Sequence, residues 1–291
     1  MKKVSVVIVT YNGVKWIEKC IKSLLQSNYP VDIVVVDNYS NDTTLAVLEQ
    51  FPQLHLITSG SNLGFGKANN IGIEYALKNA ADYVFLLNQD TWVFDNSIAE
   101  LVKTAERNPE FGIVSPMHFS GDEVTLDENF KTYFGKKTAE LKDQNVVVVP
   151  FVNAAAWLVS RGCLEKVGGF EPLFGHYGED RNYCNRVLFH NFKIAITEKS
   201  KICHDRQIVR GFKKDLIQSK YKMLSEVLDV NDSLLTSYCK GLKSVFGLPK
   251  YFGKFYPAMK VFELFFGLMM YYCELVFSIG KISKARAKAR Q

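Results

Sequence analysis

The sequence lacks several patterns that mark common classes of protein. Its six cysteines are scattered without a CxxC pair, which argues against a zinc cage and a disulfide framework and favours reduced thiols in a cytosolic protein. No GxGxxG pattern follows the first strand-like segment, so a dinucleotide-binding fold fits poorly. The chain runs from Met1 directly into that segment without a signal-peptide pattern. This predicts a protein in the cytoplasm or on the cytoplasmic face of a membrane.

A long, uncharged apolar segment is also missing. Residues 261–280 are almost entirely apolar but include Glu263 and Glu274. Eleven residues make close to three helical turns, so both carboxylates lie on one stripe, which Lys281 extends. Two charges on a narrow stripe disfavour a simple membrane span. Two alternatives stay open: a helix lying in the membrane interface, or a helix packed on the rest of the chain.

The end of the chain is strongly cationic. The last eleven residues contain five basic side chains and no acidic one. Such a segment suits an anionic lipid surface or a nucleic acid, and its simpler interpretation is a solvated tail. The five are Lys281, Lys284, Arg286, Lys288 and Arg290.

The first hundred residues alternate between buried-strand and helical patterns. Val4 to Val9 is rich in β-branched residues, as in a strand buried on both faces. Helical spacing of apolar residues follows from Val14 to Leu25. Further strands are predicted at 33–36, 54–57 and 83–87. This rhythm predicts an α/β fold with a mostly parallel sheet flanked by helices.

The remaining chain is less regular. Residues 118–145 are polar and weakly patterned, which predicts a loop or irregular insertion. Strands are predicted at 146–149, 158–160 and 193–197, and a helix at 179–190. From about residue 215 the pattern is helical to the end. We therefore predict one unit over 1–215 and a C-terminal helical segment over 216–291.

Polar residues follow each of the first four predicted strands. Because parallel strands end at one edge of a sheet, these residues should form a single site for a polar ligand. Any one group could be ordinary turn or capping chemistry, but four together favour a site. The residues are Thr10, Tyr11 and Asn12; Asp37 and Asn38; Asn62, Gly64, Lys67 and Asn69; and Asn88, Gln89 and Asp90.

Three of these positions indicate specific chemistry. The Asp37 carboxylate is suited to accept from ribose hydroxyls or a base N–H, and its alternative role is a capping network with Ser40. Gly64 would let the backbone approach a ligand closely, and Lys67 could balance phosphate charge. Asp90 ends an apolar run with a hard oxygen ligand, which suits Mg²⁺ or Mn²⁺ beside a departing diphosphate.

Two further residues complete the candidate chemistry. Asp180 follows Glu179 at the start of a predicted helix, where it could act as a general base; the alternative is that both acids only complement the helix dipole. His204 follows a strand-like segment and could complete the metal site, although a lone histidine is more often structural.

In this order, the motifs resemble those of family 2 glycosyltransferases, and the similarity is greatest to the bacterial rhamnosyltransferase-like branch. It covers residues 3–210 and leaves the last 70 or so outside. The segments that carry it are VSVVIVTYN from Val4, VVVDN from Val34, NLGFGKANN from Asn62, LLNQDT from Leu86, VGGFE from Val167 and GED from Gly178.

The resemblance implies a GT-A (Rossmann-like) fold, inversion at the anomeric carbon and a UDP- or dTDP-sugar donor, dTDP-rhamnose among them. The acceptor would be a saccharide or lipid-linked saccharide in cell-surface polysaccharide synthesis. Separately, the apolar and then cationic character of residues 261–290 suggests that the acceptor is presented at a membrane surface. Nucleic acid is not an expected partner. By position, Thr10, Tyr11, Asn12 and Asp37 resemble nucleoside-binding residues, and Asn62, Gly64 and Asn69 the nucleotide-sugar loop. Asn88-Gln89-Asp90 occupies the metal motif with Asn in place of its first Asp, Asp180 matches the base, and His204 matches a histidine at the metal or diphosphate.

Two other functions compete with this hypothesis. A nucleotidyltransferase needs a glycine-rich, basic segment directly after the first strand, where this chain has only Gly13 and Lys15. A non-catalytic binding protein would be favoured if Asp90 or Asp180 were missing, and both are present.

Overall fold

The computed structural model describes residues 1–141, 144–206 and 210–291. They form strands and helices in this order: β1 (Val4–Thr10), α1 (Ile17–Leu25), β2 (Asp32–Asp37), α2 (Thr44–Leu48), β3 (His55–Thr58), α3 (Phe65–Lys78), β4 (Tyr83–Asn88), β5 (Thr91–Val93), α4 (Ser97–Arg107), β6 (Phe111–Ser120), α5 (Glu128–Phe134), β7 (Ala139–Leu141), β8 (Val146–Val148), β9 (Ala156–Ser160), α6 (Arg161–Val167), α7 (Glu179–Phe189), β10 (Lys193–His204), α8 (Phe212–Val227), α9 (Leu234–Phe252), α10 (Ala258–Phe277) and α11 (Ile279–Lys288).

The first four long strands form a parallel half-sheet in the order β3-β2-β1-β4. The apolar residues of β1, β2 and β4 are buried on both faces, since one apolar cluster includes Ile73 of α3 and another includes Ile21 of α1. Strand β3 lies at the edge of the sheet and is partly exposed. In this register Thr10 lies opposite Asp37. The predicted α/β fold, with a mostly parallel sheet flanked by helices and a C-terminal helical part, is confirmed.

The second half of the sheet has mixed pairing. Strand β9 runs antiparallel to β4 and β6, and β10 runs parallel to β6 but antiparallel to β8. The short strand β5 pairs antiparallel with the end of β10, which sets Thr91 opposite His204. This pairing brings two segments together that are more than a hundred residues apart in the chain.

Two sequence predictions are corrected here. Strand β10 continues to His204 instead of ending at residue 197, because it resumes its pairing with β6 after a register shift between Thr197 and Lys201. The range 118–145 is not a plain loop: it contains the end of β6, α5 and β7. The Asp127 side chain caps α5 by accepting from the Phe130 N–H at 2.8 Å, and Phe130 is fully buried. Residues 142 and 143 of that range lie outside the described residues.

Helices α8 to α11 pack around an apolar cluster of their own, which includes Val227, Leu268 and Leu275. Helix α10 thus packs on the rest of the chain through one face. This is the second of the two alternatives that the sequence left open for residues 261–280. The end of the chain is not a solvated tail either. The buried Arg286 side chain of α11 donates to the carbonyl oxygens of Val227 and Asp229, at 2.9 and 2.5 Å.

No single helix among the described ranges is long and apolar enough to cross a bilayer. Helices α10 and α11 meet that test only as a pair, and a 70° bend separates them.

Candidate active site

A cavity of about 1270 Å³ opens where the sheet meets α7 and α8. Asp90 and Asp180, ninety positions apart in the sequence, both line this cavity, together with His204. Asp90 follows β4, Asp180 begins α7 and His204 ends β10, so three separate elements supply these side chains. A volume of this size accommodates a nucleotide-linked sugar.

Asp90 and His204 lie close enough to share a ligand. The Asp90 Oδ1 atom is 3.3 Å from His204 Nε2, and the Asp205 N–H donates to the Asp90 carbonyl at 2.9 Å. His204 is buried, and its Nδ1 has no hydrogen-bond partner among the described residues. No group of three or more His, Cys, Asp or Glu side chains in the described parts of the chain is arranged to hold a metal ion. Two protein ligands still fit Mg²⁺ or Mn²⁺, because such ions complete their shell with phosphate oxygens and water.

Gln89 joins the ends of β1 and β4. Its Oε1 atom accepts from the Thr10 hydroxyl at 2.6 Å and from the Tyr11 N–H at 2.9 Å. Its Nε2 donates to the Tyr11 carbonyl at 3.3 Å. The Thr10 side chain is fully buried. The Thr10 and Gln89 side chains therefore bond to each other and hold the Tyr11 backbone in place.

A second network connects the ends of β2 and β3. The Asn38 side chain accepts from the Leu63 N–H at 2.8 Å and donates to Asn62 Oδ1 at 3.1 Å. The Gly64 N–H donates to the same Asn62 oxygen at 3.0 Å. The Asn12 Oδ1 atom accepts from the Asn41 N–H at 2.9 Å. The three Asn side chains therefore hold the predicted nucleotide loops, mainly by accepting hydrogen bonds from backbone N–H groups.

Asp37 has one carboxylate oxygen engaged and one free. Oδ2 accepts from the Ser40 N–H at 3.1 Å, but the predicted capping role is not seen, because the N-cap residue of α2 is Thr43. Oδ1 is buried and lacks a hydrogen-bond partner within the described ranges. A buried acceptor left without a partner is costly. This oxygen is therefore suited to receive an N–H or O–H group from a ligand.

Gly64 brings the nucleotide-sugar loop against the segment that precedes α7. Its φ of +80° lies in the left-handed region, and a Cβ atom there would overlap the Gly175 carbonyl oxygen. Lys67 is exposed on α3. Asn69 is buried and donates to the Phe65 carbonyl of its own helix at 3.0 Å. Neither Lys67 nor Asn69 lines the cavity.

The structure thus divides the predicted site residues into two groups. The cavity-lining group is Asn88, Gln89, Asp90, Asp180 and His204. The group in or beside the loops at the ends of β1 to β3 is Thr10, Tyr11, Asn12, Asp37, Asn38, Asn62, Gly64, Lys67 and Asn69.

Two adjacent carboxylates begin α7. Burial and, second, the charge of Asp180 raise the pKa of Glu179 from 4.5 to about 7. Burial also raises the pKa of Asp180, while the Arg181 N–H, at 2.7 Å from Oδ1, and the charges of Arg181 and Arg206 oppose that rise. The Glu179 Oε2 atom is buried without a hydrogen-bond partner in the described ranges. The Glu179 carboxyl group is therefore suited to proton transfer near neutral pH, and Asp180 lies next to it in the same cavity.

Two features of the site were not predicted from the sequence: the raised pKa of the buried Glu179 carboxyl group and the basic side chains that line the cavity. Glu179 stood next to the predicted base, but helix-dipole chemistry already explained an acid at that position. Arg206 lies two residues after His204, which was its only sequence signal. The basic side chains that line the cavity are Arg181, Arg206, Arg210, Lys214, Lys222 and Lys240. Acidic side chains line the cavity too, and Arg210 pairs with Asp215 and Lys222 with Glu226. Arg181 and Arg206, whose charges act on Asp180, are the basic groups suited to complement a diphosphate.

Two known proteins of similar sequence are rhamnosyltransferases by name. The dTDP-rhamnosyl transferase RfbF of Shigella flexneri is 30% identical over 203 residues, covering 68% of this chain and 67% of that protein. The N-acetylglucosaminyl-diphospho-decaprenol L-rhamnosyltransferase of Mycobacterium tuberculosis is 33% identical over 215 residues, covering 62% and 69%.

Among solved structures, the mannosyltransferase PcManGT from Pyrobaculum calidifontis, in complex with GDP-Man and Mn²⁺, superposes with a TM-score of 0.62 at 18% identity. The match covers 99% of this chain and 86% of that one, and it confirms the GT-A fold. Residues 5–168 match the family described as Glycosyl transferase family 2. The chain therefore belongs to glycosyl transferase family 2.

Proposed function

We propose that this protein is an inverting hexosyltransferase that uses a UDP- or dTDP-sugar, with dTDP-rhamnose as the first donor to test. The acceptor is a hydroxyl of a saccharide or lipid-linked saccharide in cell-surface polysaccharide synthesis. The names of the two relatives, a dTDP-rhamnosyl transferase and a rhamnosyltransferase for a diphospho-decaprenol sugar, support these two choices. The observation that carries the proposal is that Asp90 and Asp180 line one cavity.

The donor would lie across the carboxyl ends of β1, β2 and β4. The unpartnered Asp37 Oδ1 would accept from the base or ribose. The diphosphate would lie between Asp90 and the basic side chains of Arg181 and Arg206. Asp90 and His204 would hold a Mg²⁺ or Mn²⁺ ion, which when bound supplies positive charge next to the diphosphate.

Transfer would proceed by a single in-line displacement. Asp180 removes the proton of the acceptor hydroxyl, and the acceptor oxygen forms a bond to the anomeric carbon. The bond from that carbon to the diphosphate oxygen breaks on the opposite face, and the electron pair leaves with the nucleoside diphosphate. Arg206, which lines the same cavity, would stabilise the negative charge that develops on the leaving diphosphate.

The assignment of Asp180 as base is tested by its amide variant. Asp180→Asn should lower turnover at least about 100-fold, since a general base contributes that much or more, while donor affinity changes little. The control is Asp122→Asn, an exposed carboxylate outside the cavity lining. Near-normal turnover of Asp180→Asn, combined with loss of activity in Glu179→Gln, would transfer the role of base to Glu179.

The reaction class is tested by its second product. Nucleotide-sugars incubated with the protein, Mn²⁺ and a lipid extract should release nucleoside diphosphate. Release of pyrophosphate would support a nucleotidyltransferase instead.

We also propose that the protein works in the cytoplasm, at the cytoplasmic face of a membrane, with residues 216–291 as its membrane-associated segment and no nucleic-acid partner.

A further inference from the structure

One face of the α9–α10 pair exposes large apolar side chains to solvent. Their exposed fractions range from 39% for Leu242 to 89% for Phe277. We call this surface the α9–α10 face, defined by Leu242 and Phe246 of α9 and Met259, Phe262, Phe266, Met270 and Phe277 of α10. Soluble monomers rarely expose large contiguous apolar patches without a partner.

The exposed residues form one continuous surface. At about 100° per residue, the five on α10 lie within about 80° of one another on the helix. Phe246 of α9 contacts Phe265 at 5.6 Å between ring centroids, and Phe265 and Phe262 contact Phe266 at 5.5 and 4.5 Å. The opposite side of α10, with Leu268, is buried in the helical cluster. The packing of α10 within the protein therefore leaves this face uncovered.

The segment that carries the α9–α10 face is strongly cationic. Residues 234–291 contain ten Lys or Arg and two Glu, a net charge of +8, whereas the whole chain carries +6. On α9, Lys243 and Lys250 lie on one flank of the apolar residues, by helical spacing. On α11, Lys281, Lys284 and Lys288 are exposed.

The two acidic residues are at the margin of the α9–α10 face. By the same spacing, Glu263 and Glu274 lie along one side of the α10 stripe and outside its centre. Glu263 forms an ion pair with Lys260 at 2.6 Å. The acidic residues therefore leave the centre of the stripe apolar and the segment strongly cationic.

We propose that the α9–α10 face binds the surface of an anionic lipid bilayer, with both helices lying along the membrane. Apolar side chains would enter the boundary between headgroups and acyl chains, and the lysines would contact lipid phosphates. A second copy of this chain fits less well. A two-fold contact through the same face would bring two segments of charge +8 together.

Docking in this way would also set the active site beside the lipid. Lys240 of α9 lines the cavity, so one of the two helices that carry the α9–α10 face also contributes to the lining of the site. A saccharide attached to a lipid could then reach the cavity while its lipid stays in the membrane. The docking deepens the proposed membrane association of residues 216–291 and does not depend on the proposed reaction, whereas this consequence does.

Vesicle flotation of the full chain tests the proposal. We expect binding to vesicles of phosphatidylcholine with about one third phosphatidylglycerol, and much weaker binding to phosphatidylcholine alone. The triple variant Phe262→Ser, Phe266→Ser, Met270→Ser should lower the partition coefficient at least about tenfold. The charge variant Lys243→Gln, Lys250→Gln, Lys281→Gln should remove most of the preference for anionic vesicles, by about tenfold or more.

Matched controls separate the face from general surface effects. Val124→Ser removes a residue that is 77% exposed outside this face, and Lys199→Gln removes an exposed cation elsewhere; both should bind like the wild type. Circular dichroism and release of nucleoside diphosphate with a water-soluble acceptor establish that each variant is folded and show whether the proposed reaction fails separately. Equal partitioning of the triple variant and the wild type would overturn the proposal. So would a wild-type dimer that this variant converts to monomer without any vesicle binding.

Discussion

Replacing the Glu179 carboxyl by an amide should stabilise the folded protein at alkaline pH. Burial and the Asp180 charge raise the pKa of Glu179 from 4.5 to about 7. The folded state therefore binds this proton more tightly than the unfolded state does, so the contribution of Glu179 to stability falls as pH rises from about 4.5 to about 7. Above about pH 7, the loss of stability caused by the Glu179 carboxylate stays constant. An amide at position 179 does not titrate and removes the penalty.

The size of the effect follows from the two pKa values. A rise from 4.5 to about 7 corresponds to about 3.5 kcal/mol at about 1.4 kcal/mol per pH unit. Because part of the unfolded-state titration lies below pH 5, about 2.5 kcal/mol of this should appear between about pH 5 and about pH 8. The amide has its own hydrogen-bonding needs, which add an offset that does not depend on pH.

Urea unfolding of the wild type and Glu179→Gln at both pH values measures this difference. The free energy of unfolding of the variant, relative to wild type, should rise by about 2.5 kcal/mol from pH 5 to pH 8. Glu49→Gln, an exposed position after α2, serves as the control and should change stability by less than about 0.5 kcal/mol at either pH. A relative stability of Glu179→Gln that is the same at both pH values would refute the burial argument.

Two further substitutions test the framework around the site. Gly64→Ala would place a Cβ atom against the Gly175 carbonyl oxygen at a φ of +80°; we expect a loss of about 2 kcal/mol or more in urea unfolding and weaker donor binding in calorimetry. Gly60→Ala, where a Cβ meets open space, should be nearly neutral, and equal effects would contradict the account. Arg286→Ala removes a buried guanidinium that bonds to backbone carbonyls, and should cost about 3 kcal/mol and loosen the C-terminal helices in hydrogen exchange. An unchanged exchange pattern, like that expected for the exposed Lys288→Ala, would contradict it.

The extent to which sequence determined this structure differs between its two halves. Strands β1, β2 and β4 were predictable because their apolar runs are buried on both faces, and their polar ends follow in a fixed order. Helix α5 was missed because seven residues are too few to establish a helical period, and its single anchor, Phe130, sits in a polar segment. The extension of β10 was hidden by Glu198 and Lys199, which interrupt its apolar pattern.

The same contrast holds for the candidate site. The types of residue at Asp90, Asp180 and His204 indicated their chemistry, but their proximity depends on long-range pairing. The contact between Asp90 and His204 follows from β5 pairing with β10, and no local pattern specifies that register. The high pKa of Glu179 depends on how deeply α7 is packed, which its sequence neighbours do not reveal. The position of Asn69 was equally hidden: the resemblance places it in the nucleotide-sugar loop, and in the structure it is buried and donates to the Phe65 carbonyl of its own helix.

The central claim is that Asp90 and Asp180 act on one bound nucleotide-sugar from two sides. Donor affinity by calorimetry with Mn²⁺, measured beside turnover for Asp90→Asn and Asp180→Asn, tests it most directly. We expect Asp90→Asn to weaken donor binding at least about tenfold, since charge-assisted contacts contribute about 1.5 kcal/mol or more, and Asp180→Asn to bind donor normally but turn over at least about 100-fold more slowly. Normal donor binding and turnover in either variant would contradict the account.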